Sequence, residues 1–437
     1  MQLAQIYTTF LSAKGLCIDS RQVQPGDLFF ALGQKDENGQ HKGNDFAEMA
    51  LQKGALAAII NAPQLKAKYA EDERYILVED VEVCLQQLAQ YHRKQIDIPV
   101  IAVVGSNGKT TCRQLLYLLL SQNYDCWATP GNFNNHLGLP LSVLQIKNEH
   151  ELAILEIGAN HLGETAALCE IAAPTHGLIT NHGKDHLGEY GSLENIQKAN
   201  HELYDYLAKT NGQAFVYGQD PVMMKAAKQL KNPIFYGRSK DYTQAKVLQA
   251  PDLKLEIQLG KRKLSVKMNL FGEFWAPTVL AAATIADYFA LPAAVIKQAL
   301  QSYSPQSLRS ERRNWNNQAV LLDCYNANPS SMQVFLQAAL AEKSAPKVFV
   351  LGEMLELGNF SQNEHQTLLD QLASEKNIQL LLFGPSFLGL SLPPFAQHFE
   401  HLDQLQQALP TSAHAIYVKG SRGNRLEQLF EEVKELN

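Results

Sequence analysis

The stretch IPVIAVVGSNGKTTCRQLLYLLL, residues 98–120, constrains the fold more than any other. A short apolar run stops at a loop with two glycines, and a run with helical spacing begins at once. A strand with no polar face needs cover on both sides, which a parallel sheet flanked by helices supplies. The loop Gly105, Ser106, Asn107, Gly108, closing on Lys109, Thr110 and Thr111, is how a chain aims several backbone N–H groups at a phosphate. Lys109 would then reach the terminal phosphates and the Thr110 hydroxyl would sit on Mg²⁺. The plainer account is a tight strand-to-helix turn with a chance lysine. The general phosphate-loop pattern also wants a glycine five residues before Gly108, where this chain has Val103.

The same alternation continues with ELAILEIG and HGLITN, and a second set starts near residue 319 with AVLLDCY, PKVFVLGEM, IQLLLFG and HAIYVKG. Alternating strands and helices imply α/β architecture with mainly parallel sheets, and two such sets need two sheets. Between them DLKLEIQLGKRKLSVKMNL alternates apolar and polar residues, the mark of antiparallel strands, and a helix is expected from about Pro277 to Ala290. The first 96 residues form a smaller mixed α/β unit in which the PGD turn leads into an apolar strand. The spacing therefore predicts three domains, 1–96, 97–305 and 306–437.

A chain of 437 residues exceeds one ordinary core, which agrees with several domains. With 46% hydrophobic and 19% charged residues it reads as globular throughout. A net charge of −6 argues against a general nucleic-acid binder. The six cysteines include no CxxC pair, so neither a zinc site nor a disulfide framework is indicated. No signal-peptide pattern opens the chain, and the longest apolar stretch, APTVLAAATIADYFAL, is interrupted by Asp287 and too short for a membrane span. A cytoplasmic protein without membrane insertion is expected.

Two further residues carry candidate chemistry. Glu156 ends the strand ELAILEIG, where a carboxylate at the edge of a parallel sheet could hold Mg²⁺. A solvated strand-end acid is the bland alternative. His186 follows the next strand end, where His182, Lys184 and Asp185 crowd the same rim.

DSRQVQPGDLFFAL, GSNGKTT, TPGNFNNHLGLPLS, ILEIGANHLGE, HLGEYGSLENI, DCYNANPSSM, LGEMLELG and YVKGSRG follow in this order over nearly the whole chain. Together they resemble the Mur ligases. DCYNANPSSM with GNFNNHLGLP resembles the branch that joins D-alanyl-D-alanine to a UDP-N-acetylmuramoyl-tripeptide. The resemblance implies an N-terminal domain for the UDP end of the substrate, a central ATPase domain and a C-terminal Rossmann-like domain that closes on both. It implies a monomeric, ADP-forming ligase that uses ATP and Mg²⁺ in peptidoglycan precursor synthesis and proceeds through an acyl phosphate. By the same resemblance Lys109, Glu156, His186 and Arg309 are catalytic. Thr110 and Glu156 serve one Mg²⁺, and His186 serves a second metal. Arg309 reaches the γ-phosphate, Asp323 binds the ribose, and Asn326 and Asn328 flank that pocket. Ser20 and Arg21 contact UDP, Asn135 and His136 line the entry of the sugar-peptide, and Lys419, Ser421 and Arg422 belong to the substrate site. Asn328 also reads as a helix cap with Pro329 at the first helical position.

Three positions depart from the family pattern. Asn200 stands where the family carries a lysine, carbamylated to give the second metal an anionic ligand. Lys198 cannot substitute, because two residues along a helix turn through about 200°. Trp275 and Thr278 occupy the positions of two adenine-region asparagines. The indole could stack on a purine or pack into the core. Two alternatives therefore accompany the ligase reading: a related amino-acid ligase, and a catalytically weakened chain that still binds a nucleotide-sugar peptide.

Overall fold

A computed structural model describes residues 2–343, 346–411 and 414–430; residues 431–437 of the expected third domain lie outside them. The chain forms two compact units. The first comprises residues 1–102, 125–157 and 166–175, and the second residues 103–124, 158–165 and 176–437.

The first unit carries a four-stranded, all-parallel sheet in sequence order: Gly15–Cys17, Asp27–Phe30, Ala57–Ile60 and Tyr75–Leu77. The two central strands are wholly buried, as strands covered on both faces must be. The PGD turn leads into the second of the four. Helix Val81–Arg93 starts where the Asp80 carboxylate accepts from the N–H groups of Glu82 and Val83. Its Cys84, Leu85, Leu88, Ala89 and His92 face inward, one side of a 3.6-residue repeat. Strands Cys126–Ala128 and Leu152–Glu156 pair in parallel.

In the second unit His176–Ile179, Gln213–Tyr217 and Ile234–Tyr236 run parallel. Thr243–Gln249, Asp252–Leu259 and Arg262–Phe271 then form antiparallel pairs. Inward and outward residues alternate along Asp252–Leu259, which is what the alternating sequence predicts. Helix Ala276–Tyr288 is buried from Thr278 to Ala286, so the absence of charged residues from that span reflects burial on all sides. It packs on helix Lys109–Leu120.

A six-stranded sheet follows in the order Glu311–Trp315, Gln318–Asp323, Ala415–Lys419, Lys347–Gly352, Ile378–Phe383, Ala396–Phe399. The first pair is antiparallel and the others are parallel. Its four inner strands are the four read from the sequence. The two edge strands, ERRNW and AQHF, carry no apolar run because an edge has less surface to bury and gains from charge. Among the described residues no helix is long and apolar enough to cross a membrane.

Candidate active site

The phosphate-loop candidate is shaped by its glycines. Gly105 has φ +128° and Gly108 has φ +80°, both unfavourable for residues with a Cβ. A Cβ on Gly105 would lie 2.2 Å from Thr180 Oγ1. Thr180 Oγ1 donates to the Asn107 carbonyl at 2.7 Å, as does Asn181 Nδ2 at 2.8 Å. The Ser106 N–H donates to the Asn181 carbonyl at 3.1 Å and the Asn107 N–H to Asn181 Oδ1 at 3.1 Å. Helix Lys109–Leu120 starts directly on Gly108, so its N-terminus, with its positive dipole end, borders the loop. The Lys109 ammonium donates to the carbonyls of Gly105 and Ser106 and lies 4.0 Å from Asp185. Thr110 and Thr111 are buried in the first helical turn.

Trp275 and Thr278 border this loop. A Cβ on Gly108 would lie 3.3 Å from Trp275 Cζ3 and 3.6 Å from Thr278 Oγ1. The indole N–H is buried without a hydrogen-bond acceptor. Trp275 therefore packs against the candidate nucleotide site itself.

The rim at residues 181–186 gathers residues distant in sequence. The Lys184 N–H donates to Ser330 Oγ at 2.9 Å and its ammonium meets Glu364 Oε1 at 2.6 Å. Asn328 Nδ2 donates to Asn107 Oδ1 at 2.8 Å. His186, at φ +45°, has Nδ1 3.0 Å from Glu356 Oε2. The angle is off the line a hydrogen bond needs, so the contact is electrostatic. Burial lowers the His186 pKa, but Glu356 and Asp185 more than reverse this, leaving it raised. Asp185 Oδ1 is buried without a hydrogen-bond partner.

Helix Leu193–Thr210, capped by Ser192, turns Ile196, Ala199, Asn200, Leu203, Tyr204 and Leu207 inward. Asn200 is 7% exposed, whereas the Lys198 side chain is 60% exposed and pairs with Glu194 at 2.9 Å. Asn200 Nδ2 lies 3.3 Å from His182 Nδ1, and His182 Nε2 lies 3.1 Å from His201 Nε2. The position where the family has its lysine thus belongs here to a cluster of two imidazoles and an amide.

In the C-terminal sheet, Asp323 Oδ2 accepts from the Lys419 ammonium at 2.6 Å and Oδ1 from the Ser310 N–H at 3.1 Å. Lys419 also donates to the Asn326 carbonyl, while Asn326 Oδ1 accepts from the Ala327 N–H. Arg309 lies over the Tyr325 ring, 3.8 Å from its centroid, with Nε buried and unpaired. Asn328 forms a capping box with Ser331 ahead of Pro329–Ala341. Ser421 Oγ accepts from the Leu355 N–H at 3.0 Å, and Arg422 pairs with Glu427.

In the first unit Glu156 is 2% exposed; Oε1 accepts from Asn134 Nδ2 at 2.8 Å and its N–H donates to Thr129 Oγ1. Asn135 Oδ1 accepts from the N–H groups of Leu137 and Gly138, and His136 is exposed. Ser20 is buried. Arg21 is exposed and forked onto Asp19, whose carboxyl that pairing lowers to about 2.

No motif of the sequence points to Glu356, Glu364, Tyr325 or Thr180 by itself. Glu356 lies within the LGEMLELG motif, but nothing local reveals that it faces a histidine 170 residues earlier.

The residues present suit a nucleoside triphosphate. Two glycines let the backbone approach phosphate, and a helix N-terminus and a lysine face the same loop. They suit Mg²⁺ only with outside help. Among the described residues no three of His, Cys, Asp and Glu gather as a metal site, so phosphate oxygens and water would complete the shell.

Comparison with known proteins agrees with this geometry. Residues 12–93 match the family model "Mur ligase family, catalytic domain", residues 103–286 "Mur ligase middle domain", and residues 308–432 "Mur ligase, glutamate ligase domain". The UDP-N-acetylmuramoyl-tripeptide–D-alanyl-D-alanine ligase of Treponema pallidum is 32% identical over 95% of this chain and 92% of its own length. A crystal structure of MurF from Acinetobacter baumannii superposes with a TM-score of 0.85 at 27% identity, covering 98% of this chain and 96% of the other. MurF from Thermotoga maritima in complex with ADP gives 0.82 at 26% identity, covering 96% of each. The chain has the three-domain α/β fold of these proteins and belongs to the Mur ligase family.

Proposed function

We propose that this protein is an ADP-forming ligase that joins D-alanyl-D-alanine to a UDP-N-acetylmuramoyl-tripeptide in peptidoglycan synthesis. The observation that carries the reading is the glycine-shaped loop with Lys109 at a helix N-terminus, inside a chain similar to such ligases over nearly its whole length. The domain limits 1–96, 97–305 and 306–437 are supported by where the three family models match. Six scattered cysteines without a CxxC pair fit a reducing cytoplasm.

ATP, when bound, supplies the phosphoryl group that converts a carboxylate into an acyl phosphate open to an amine. The chain's part is charge compensation and alignment. The helix N-terminus that follows Gly108 holds phosphate, and Lys109, released from its loop carbonyls, offsets negative charge where two anions meet. Thr110, Glu156 and His186 are the proposed Mg²⁺ ligands, each an oxygen or imidazole donor of the right type. Arg309 is held ready by Tyr325 with an N–H still unpaired. Asp323 is neutralised by Lys419, so a ribose hydroxyl would compete with an ion pair for its oxygens.

The test is phosphate release by the full chain with ATP, Mg²⁺ and UDP-N-acetylmuramoyl-tripeptide, with and without D-alanyl-D-alanine. Release that requires both co-substrates is expected. Binding of the nucleotide-sugar peptide without release would instead support the weakened chain, a reading favoured by the unusual cluster at Asn200.

A further inference from the structure

The Lys184–Glu364 pair borders a cavity that the phosphate chemistry does not use. Lys184, Ser330, Gln333, Met354, Glu364 and Thr367 are among its lining residues. Its volume of about 80 Å³ holds roughly five to eight waters at ~10–15 Å³ each, room for most of a small polar molecule. The lining is mostly polar, with one cation, one anion, two amides and two hydroxyls, and Met354 beside Pro329 and Leu368 as an apolar wall. Glu364 keeps 9% of its side-chain exposure and Lys184 41%. The buried carboxylate thus has its compensating charge on a side chain that can swing into water.

The cavity also adjoins the phosphate loop. A Cβ on Gly183 would lie 2.5 Å from Asn107 Nδ2, 3.2 Å from Ser106 Cβ and 3.2 Å from Ser330 Cβ, so one residue without a side chain separates loop from cavity wall.

We propose that this cavity binds the acceptor dipeptide D-alanyl-D-alanine as a zwitterion, an assignment that rests on the ligase reading above. The dipeptide's carboxylate takes Lys184 and its ammonium takes Glu364. Gln333 and Thr367 face its amide, and a methyl group lies on Met354. The exchange leaves no charge unpaired, because one internal ion pair becomes two pairs with the ligand. A ligand with only one of the two charges strands the other partner, so selection falls on molecules carrying both.

The experiment is steady-state kinetics of the full chain with ATP and UDP-N-acetylmuramoyl-tripeptide, varying the dipeptide. Glu364→Gln and Lys184→Met are expected to raise KM for D-alanyl-D-alanine at least tenfold while KM for ATP moves less than twofold. D-alanyl-D-alanine amide, which lacks the carboxylate, should be a poor substrate for the wild type, and Lys184→Met should use it as well as the free dipeptide. An unchanged KM for the dipeptide, or full discrimination against the amide in Lys184→Met, overturns the assignment. Should either variant fail to fold, the exposed Gln333→Ala is expected to raise the same KM at least threefold, and no rise there is equally decisive against it. Wild-type protein that releases no phosphate with D-alanyl-D-alanine removes the ligase reading and this assignment together, a failure told apart because no variant is needed to see it.

Discussion

Residues 105–110 and residues 181–186 are both loops at strand ends, they hydrogen-bond to each other, and they are held in opposite ways. The first takes its shape from two glycines at positive φ and from backbone groups bonded to Thr180 and Asn181. The second is pinned by side chains from far away in the chain: Ser330 and Glu364 on Lys184, Glu356 on His186, His201 on His182. A backbone-held loop keeps its geometry whatever its charged side chains do. A loop held by ion pairs and imidazoles changes with pH and with the arrangement of its partners. The phosphate-loop candidate is thus preformed, while the rim at residues 181–186 is adjustable.

The largest expected effects test the preformed loop. Gly105→Ala places a methyl group 2.2 Å from Thr180 Oγ1 and 2.9 Å from the Thr180 N–H nitrogen, at a φ that L residues avoid. A loss of roughly 3 kcal/mol of stability is expected together with activity, read by chemical unfolding and by phosphate release. Lys109→Ala should separate the two. Its ammonium donates to two loop carbonyls and keeps only a long 4.0 Å approach to Asp185 among the described residues, so the melting temperature should fall by no more than about 2 °C. Turnover should fall by roughly 10²–10³ or more, because no other cation of the loop compensates phosphate charge. Equal loss of stability in the two variants would show that the loop is not backbone-held, and wild-type turnover in Lys109→Ala would sink the nucleotide assignment.

The same contrast explains what the sequence discloses. Loop 105–110 is legible because six consecutive residues and their flanks contain its determinants: glycines for φ, a strand before and a helix after. The inner strands are legible through their apolar runs, and Asp252–Leu259 through its alternation. Glu311–Trp315 and Ala396–Phe399 are not, since an edge strand needs no continuous apolar face. The rim is illegible for another reason. Lys184 meets Ser330 146 residues later and Glu364 180 residues later, and no local pattern encodes such partners. Asn200 shows the limit most clearly. Its departure from the family lysine is visible in the sequence, but the pair of histidines that occupies its surroundings is visible only in three dimensions.

That pair makes the adjustable loop sensitive to acid. Burial, then the neighbouring His201, lowers the His182 pKa to about 4. The unfolded chain therefore takes up a proton near pH 6.5 that the folded chain refuses until about pH 4. The stability contributed by neutral His182 is present above pH 6.5 and is lost as pH falls through that window, about 2 kcal/mol of it by pH 5. Unfolding of wild type and His182→Leu at pH 7.5 and pH 5.0 checks this. The variant should start less stable, having lost its contacts to Asn200 and His201, and should lose less on acidification. Parallel loss in both proteins would place the acid sensitivity elsewhere, at the buried His92 or at His176.

The smallest expected effect is none at all, and it tests whether the corner at Asn200 has left the family's chemistry. A carbamate forms when a neutral amine meets CO₂ in a sheltered site, and an amide nitrogen does not react in that way. Asn200 offers a carbonyl and an NH₂ group, and it spends one of them on His182. Lys198 points to solvent and pairs with Glu194, and Lys184 is engaged by Glu364, so neither replaces the missing amine. Removing CO₂ and bicarbonate from the assay should therefore leave the wild-type rate unchanged within about 20%, whereas a lysine-bearing relative measured alongside should slow and recover when bicarbonate returns. A reversible loss of rate in this protein would mean that one of those two lysines leaves its ion pair to carry a carbamate, and the rim would then be more mobile than its contacts imply. An unchanged rate leaves the second cation to His186, substrate oxygens and water, with no anionic side chain from helix Leu193–Thr210. A higher Mg²⁺ requirement than that of the lysine-bearing relative should accompany it, because a hard cation that loses a charged ligand loses affinity.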